Sequence, residues 1–198
     1  MRLVQVECPK CGQPVPPEAN QGDTILLCVC GAAHTRNGEA RLVDYEVAAP
    51  NRPGPTPLTY IPFWRVLGYV RIYSEQTSGG TLWKLAELFT GTTRANEGWV
   101  NVFVPATPVD PQTFKAWSTM FTNRPPMVRR AEGFGGGYRL PTLITTDVAA
   151  RLADFIILSN EAERPGTLQS IQYAFEPREF HLHYFPFYWD GREYASVL

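Results

Sequence analysis

Two stretches near the middle of the chain are mostly hydrophobic, with only isolated polar residues between β-branched and aromatic ones. Residues 59–73, TYIPFWRVLGYVRIY, are rich in β-branched and aromatic side chains and predict a strand with a bulge or bend at Gly68. Residues 99–104, WVNVFV, predict a second strand that is buried.

Three later stretches predict a C-terminal antiparallel β meander. They cover residues 168–175, 180–188 and 194–197. Glu176-Pro177 is expected to form the first turn. The segment 189–191, Trp-Asp-Gly, is expected to form the second, because Asp-Gly is a strong hairpin signal.

Helical spacing of apolar residues predicts helices between these strands. Residues 81–89, TLWKLAELF, predict a short one. Residues 111–122 predict another, with Asp110 or Thr113 as its cap.

The clearest helix follows the cap residues 145–147, Thr-Thr-Asp, and stops before the Pro-Gly pair at 165–166. Together with the strands, it indicates an α+β fold for residues 58–198. The Pro-rich segment 48–57 is predicted to be an extended linker, which separates this domain from residues 1–47.

Two nearly identical pentamers, YIPFW at residues 60–64 and YFPFY at 184–188, lie within predicted strands. A proline cannot donate a hydrogen bond to a sheet, so each pentamer is expected at an edge, a bulge or a strand end. One interpretation makes them kinked core strands. The other makes them an exposed docking surface around Trp64 and Tyr188.

The composition is that of a folded protein. Of 198 residues, 44% are hydrophobic and 19% charged, and the net charge of −1 gives no general attraction to nucleic acid or anionic lipid. No apolar run reaches the length of a membrane span, and residues 1–12 do not resemble a secretory signal. We therefore expect a cytoplasmic protein.

All four cysteines lie near the N-terminus, as Cys8-x2-Cys11 and Cys28-x-Cys30. Two close pairs of thiolates can hold a tetrahedral zinc ion. A glycine follows the second cysteine of each pair and permits a tight turn. Four thiolates leave no coordination position for water, so the single Zn²⁺ is expected to be structural.

Residues 1–46 resemble a zinc ribbon, a small β module with two metal-binding knuckles. CPKCG matches the first knuckle, whereas the second is one residue shorter than the family pattern. His34 is an alternative ligand if Cys28 or Cys30 points away. The resemblance implies strands at residues 2–7, 24–28 and 39–47. The aromatic-Pro-Phe strands that follow are similar to those of bacterial zinc-ribbon proteins of unknown function, which implies no activity.

The charge of the N-terminal module argues against phosphate binding, since it carries four basic and six acidic side chains. These are Arg2, Lys10, Arg36 and Arg41 against Glu7, Glu18, Asp23, Glu39, Asp44 and Glu46.

Two further groups of residues are candidate sites. A Gly-rich loop is flanked by arginines that can bind single-stranded nucleic acid or an acidic protein surface: Arg124, Arg129, Arg130 and Arg139. His181 and His183 lie on the same side of a predicted strand and form a possible second metal site.

No nucleophile elbow or HExxH pair occurs in the sequence, and no cysteine lies outside the first thirty residues. These features favour a non-enzymatic, zinc-stabilised interaction or scaffold protein with a protein partner. The alternatives are a nucleic-acid-binding factor that uses residues 124–139 and a metalloenzyme with a site at His181 and His183.

Overall fold

The structure is a computed structural model. It describes residues 6–16, 22–36, 40–52, 54–55, 57–78, 97–162 and 167–198, with only the backbone described for 74–78, 161–162 and 167–171. The predicted helix at 81–89 lies outside the described residues.

The described chain contains nine strands and two helices. The strands are β1 (Ile25–Leu27), β2 (Ala33–Thr35), β3 (Leu42–Val43), β4 (Tyr45–Val47), β5 (Thr59–Ser78), β6 (Glu97–Pro105), β7 (Tyr138–Arg139), β8 (Thr167–Trp189) and β9 (Tyr194–Ser196). The helices are α1 (Pro111–Asn123) and α2 (Thr146–Ala162). The predicted α+β class is confirmed.

The strands form two sheets. A small antiparallel sheet has the order β1-β2-β3, and a larger one has the order β4-β8-β5-β6. In the larger sheet, β7 adds to β5 in parallel and β9 adds to β8 in antiparallel orientation. One helix covers each face, because the buried residues of α1 and those of α2 belong to different hydrophobic clusters.

The two pentamers pair with each other along β5 and β8. Ile61 lies opposite Phe185, and Pro62 lies opposite Tyr184. Alternation then sends the two sets of side chains to opposite faces. The face under α2 receives Tyr60, Trp64 and Tyr184, and the face under α1 receives Ile61, Phe63, Phe185 and Phe187.

Pro62 is accommodated where the neighbouring strand β6 ends. Its carbonyl accepts a hydrogen bond from Ala106 N, so its nitrogen faces the same residue, as in any antiparallel pair. The Ala106 carbonyl, which lacks a donor from proline, accepts from Leu143 N and Ile144 N instead.

Pro186 is accommodated in the same way at the end of β9. Its carbonyl accepts from Val197 N, and the Val197 carbonyl accepts from Asn51 N and Arg52 N. Both prolines therefore lie inside their own strands, at points where the neighbouring strand ends, and connecting segments satisfy the carbonyls that they leave free.

The predicted irregularity at Gly68 is confirmed. The register shifts between Leu67 and Gly68, where Arg178 is left without a partner in the ladder. A Cβ at Gly68 would lie 2.2 Å from a ring atom of Phe175, so any side chain here would displace that ring.

The predicted helix at 111–122 is confirmed as α1, and Asp110 is its cap. The Asp110 carboxylate accepts from Gln112 N and Thr113 N, each at 3.0 Å. Trp117 and Phe121 are buried against the sheet. The helix predicted after residues 145–147 is confirmed as α2.

Two details of the strand predictions are wrong. The turn expected at Glu176-Pro177 does not form, because both residues pair within one continuous strand, β8, next to its bulge at Arg178. The strand expected at 39–47 is divided: β3 stays in the small sheet, whereas β4 pairs with β8 in the larger one. The domain division at residue 47 remains a prediction.

A buried ion pair joins the N-terminal segment to the larger sheet. Asp23, which is 1% exposed, lies 2.6 Å from Arg139 Nη2 and also accepts from Thr142 N. Arg139 Nη1 donates to the Tyr184 hydroxyl at 3.2 Å. Thr24 donates to the Thr142 carbonyl from both its N–H and its hydroxyl. We call these five residues the Asp23 cluster.

Removing the Asp23 carboxylate is expected to destabilise the fold. Asp23→Ala removes a buried carboxylate that pairs with Arg139 and accepts from Thr142 N, which lowers the free energy of unfolding by about 3–5 kcal/mol. The control is Glu176→Ala, which breaks an ion pair with Arg178 whose side chains are 51% and 58% exposed. It is expected to have no measurable effect. Urea denaturation of both variants tests this, and equal losses would contradict it.

Candidate metal centre

Two tight turns present the four cysteines. In the first, Gly12 N donates to the Cys8 carbonyl, and in the second Gly31 N donates to the Cys28 carbonyl. Gly12 and Gly31 have φ of 71° and 78°, a conformation that favours glycine. The glycine after each pair therefore has the turn-forming role that the sequence indicates.

The four sulfur atoms converge. Cys8 Sγ lies 3.8 Å from Cys30 Sγ, and Cys11 Sγ lies 3.6 Å from Cys28 Sγ. All four lie within 4.8 Å of one another. Thiolates about 2.3 Å from a tetrahedral zinc ion lie about 3.8 Å apart, so the cluster has the dimensions to hold a metal ion such as Zn²⁺.

The turns also act on the thiol pKa values. Desolvation raises the pKa of Cys8, but hydrogen bonds from the backbone N–H groups of Cys11 and Lys10 outweigh it and bring the pKa to about 7. At Cys28 the opposite balance holds. The backbone N–H of Cys30 lowers the pKa of Cys28, yet desolvation and the neighbouring thiols raise it to about 12. A bound metal cation would displace the thiol protons, because cysteines bind metal as thiolates.

His34 does not belong to the cluster. It lies in β2, is fully buried, and its Nδ1 is 3.2 Å from the Thr35 carbonyl, while its Nε2 has no hydrogen-bond partner. Among the described residues, the four cysteines form the one group of three or more His, Cys, Asp or Glu side chains placed to hold a metal.

The structure disperses the four arginines of the predicted basic loop. Arg124 follows α1 and is exposed, and Arg129 donates to the Pro50 carbonyl. Arg130 lines a polar cavity, and Arg139 belongs to the Asp23 cluster. They do not form one continuous basic surface.

The Gly-rich loop between these arginines lies against the larger sheet. Phe134 packs edge-on against Tyr60 and Tyr184, with ring centroids 5.2 and 5.1 Å away. Gly137 approaches the sheet so closely that a Cβ would lie 2.7 Å from the Leu58 carbonyl oxygen.

The two aromatic residues proposed for docking differ in exposure. Trp64 is 0% exposed, and its indole N–H donates to the Ile144 carbonyl at 2.7 Å, so it has no surface for a partner. Tyr188 is half-buried, and the adjacent Trp189 is 54% exposed.

His181 and His183 do lie on the same side of β8, as the sequence predicts. His181 Nε2 is 3.4 Å from Glu179, and His183 Nδ1 is 3.7 Å from Glu46. Burial, followed by the charges of Arg65 and His181, lowers the pKa of His183 to about 4 despite the carboxylate nearby.

Sequence reasoning missed three residues that shape these sites. Asp23 and Glu46 were counted only as acidic charge, and Arg65 appeared only as a polar position in a strand. The alternation of β5 could have placed Arg65 on the same face as Phe63. Their partners, however, come from distant parts of the chain.

One metal ion per chain is expected in the purified protein. Cys11→Ser is expected to lower the metal content strongly and to make residues 6–36 protease-sensitive. Cys11 is exposed, so the substitution removes a metal ligand and disturbs little packing. Val29→Ser is the control, since Val29 is 78% exposed between two ligands. Elemental analysis and limited proteolysis measure both effects. A metal-free sample that resists protease would contradict the expectation.

Buried His183 is expected to cause a loss of stability in acid. An unfolded histidine titrates near 6.5, and His183 in the folded protein titrates near 4. The unfolded chain therefore binds more protons between these values, and the free energy of unfolding falls as the pH falls through this window.

His183→Gln is expected to flatten this part of the pH profile, measured by urea denaturation. Metal release in acid affects the wild type and the variant alike, so the contribution of His183 is read from the difference between their two pH profiles. Parallel profiles would contradict the expectation.

Neither helix in the described part of the chain combines the length and apolar character needed to cross a membrane. Comparison with known proteins finds no family model, no curated protein and no solved structure that matches this chain.

Proposed function

We propose that this protein is a zinc-stabilised interaction or scaffold protein, with a structural zinc-ribbon-like module at residues 1–47 and a protein partner. The convergence of four cysteine sulfurs is the observation that supports the proposal most directly. Four thiolates complete a tetrahedral shell, so the metal has no free position at which to activate water.

The zinc module has a stabilising role in this proposal. Its own buried cluster is small and consists of Cys8, Val15, Leu26, Cys28 and Ala32. Such a core contributes too little free energy to fold alone, so metal binding supplies the remainder. The Asp23 cluster then holds the module against β7 and β8.

The partner surface is an apolar groove beside β9, with a volume of about 570 Å³. Trp117, Phe187 and Tyr194 contribute aromatic side chains to it. Met120 and Met127 also line it and are 42% and 90% exposed. Exposed methionines are characteristic of adaptable binding surfaces.

The charges at the groove favour a peptide segment that combines an apolar anchor with an acidic side chain. Arg124 lines the groove, is exposed, and has no ion-pair partner among the described residues. Its guanidinium can pair with a carboxylate of the partner. Arg52 lies on the same groove but donates to the Ser196 carbonyl.

The groove variant Met127→Glu tests the proposal. It places a negative charge where the apolar anchor would lie, so we expect at least about tenfold less partner in cross-linked affinity capture from the native cell. Phe155→Glu is the control, because Phe155 is 60% exposed on α2 and lies outside the groove.

Arg124→Glu is expected to weaken capture as well, through charge repulsion. If Met127→Glu and Arg124→Glu capture the same proteins as the wild type, the groove has no docking role. The same holds if these proteins are lost only with Phe155→Glu. Binding of the wild type to oligonucleotides that weakens steeply with salt would favour the nucleic-acid alternative instead.

A further inference from the structure

A second, polar cavity lies at the edge of the larger sheet, where β4 pairs with β8. Its volume is about 270 Å³, and six of its lining residues are acidic, basic or histidine: Asp44, Glu46, Arg65, Arg130, His181 and His183. These residues come from β4 and the residue before it, from β5 and β8, and from the segment after α1, so only the folded chain assembles them.

The wall of this cavity contains buried polar atoms that have no hydrogen-bond partner. The His183 side chain is 7% exposed, and neither of its ring nitrogens makes a hydrogen bond, since Glu46 lies 3.7 Å from Nδ1. Arg65 Nε is also buried and unpaired. Buried polar groups in proteins are nearly always satisfied, so two neighbouring unsatisfied side chains on one cavity wall indicate that the cavity receives a polar occupant.

The two guanidinium groups favour an anion as this occupant. Arg65 and Arg130 carry permanent positive charges, and an anion that contacts them is attracted by both. Arg65 lies directly opposite His181 in the β5–β8 ladder, which brings a guanidinium beside an imidazole. A guanidinium fork matches the geometry of a tetrahedral oxyanion.

The two carboxylates balance these charges when no ligand is bound. Asp44 is exposed, and the Glu46 side chain is 35% exposed with one oxygen 3.7 Å from His183 Nδ1. His181 faces Glu179 at 3.4 Å. A proton on His183 therefore makes the cavity net positive.

We propose that this cavity binds a phosphate-type oxyanion, either free or as the terminal group of a small phosphate ester. Arg65 and Arg130 contact the oxygens, and His183 donates a ring N–H hydrogen bond that becomes charge-assisted when the imidazole is protonated. This site is independent of the metal centre and of the groove that the proposed function uses.

Titration calorimetry of the full-length, metal-loaded protein with inorganic phosphate tests the site, with glycerol phosphate as a second arm. Arg130→Gln is expected to weaken binding about tenfold, the loss of one charge-assisted hydrogen bond. Arg178→Gln is the control, because it removes the same charge from β8 outside the cavity lining. It is expected to leave affinity unchanged.

Binding of both probes identifies the anion itself as the ligand, and binding of the ester alone identifies a small phosphate ester. Absence of binding by both probes overturns the proposal. Equal weakening by Arg130→Gln and Arg178→Gln also overturns it, since this would show that binding depends on the total positive charge and not on a contact in the cavity. Uptake of a second zinc ion that His183→Gln abolishes would assign the cavity to a metal instead.

Sulfate provides a test of the role of His183, because its charge does not change in the accessible pH range. Its affinity is expected to rise as the pH falls from about 6 towards 4, the range just above the pKa of His183 in the free protein, because the bound anion favours the protonated imidazole. His183→Gln is expected to remove the part of this rise that its proton causes. An unchanged pH profile in that variant overturns the role given to His183.

Discussion

The antiparallel pairing of β5 with β8 is the contact on which the rest of the molecule depends. It extends from Thr59 opposite Phe187 to Ser78 opposite Thr167. Because side chains alternate across a strand, this one register fixes which residues enter each hydrophobic cluster. A shift by one residue would exchange the two faces and place the aromatic side chains of the pentamers under the wrong helices.

The same strand serves different purposes on its two faces. On one face of β8, Tyr184 takes part in the Asp23 cluster and so connects the N-terminal module to the sheet. On the other face, Phe185 and Phe187 pack against α1, and His183 borders the polar cavity. The module attachment, the aromatic core and the proposed anion site therefore share one strand and its register.

The N-terminal module depends on two interactions of different kinds. Convergence of four sulfurs on a metal would organise its knuckles, whereas the ion pair of Asp23 with Arg139 fixes its position on the sheet. A buried ion pair adds little net stability over an apolar pair, but removal of one partner is costly. Such a contact favours one arrangement of the module on the sheet over others.

The sequence by itself determined the elements whose causes are local. Cysteine spacing with its following glycines indicated the metal cluster, Asp110 indicated the start of α1, and Gly68 indicated a bulge, because each signal acts within a few residues. Only the tertiary structure decided that the two pentamers pair and are buried, that β4 joins the larger sheet, and that the four arginines separate. It also brought Arg65, Glu46 and His183 to one cavity, since contacts between distant segments depend on strand register, which local patterns do not encode.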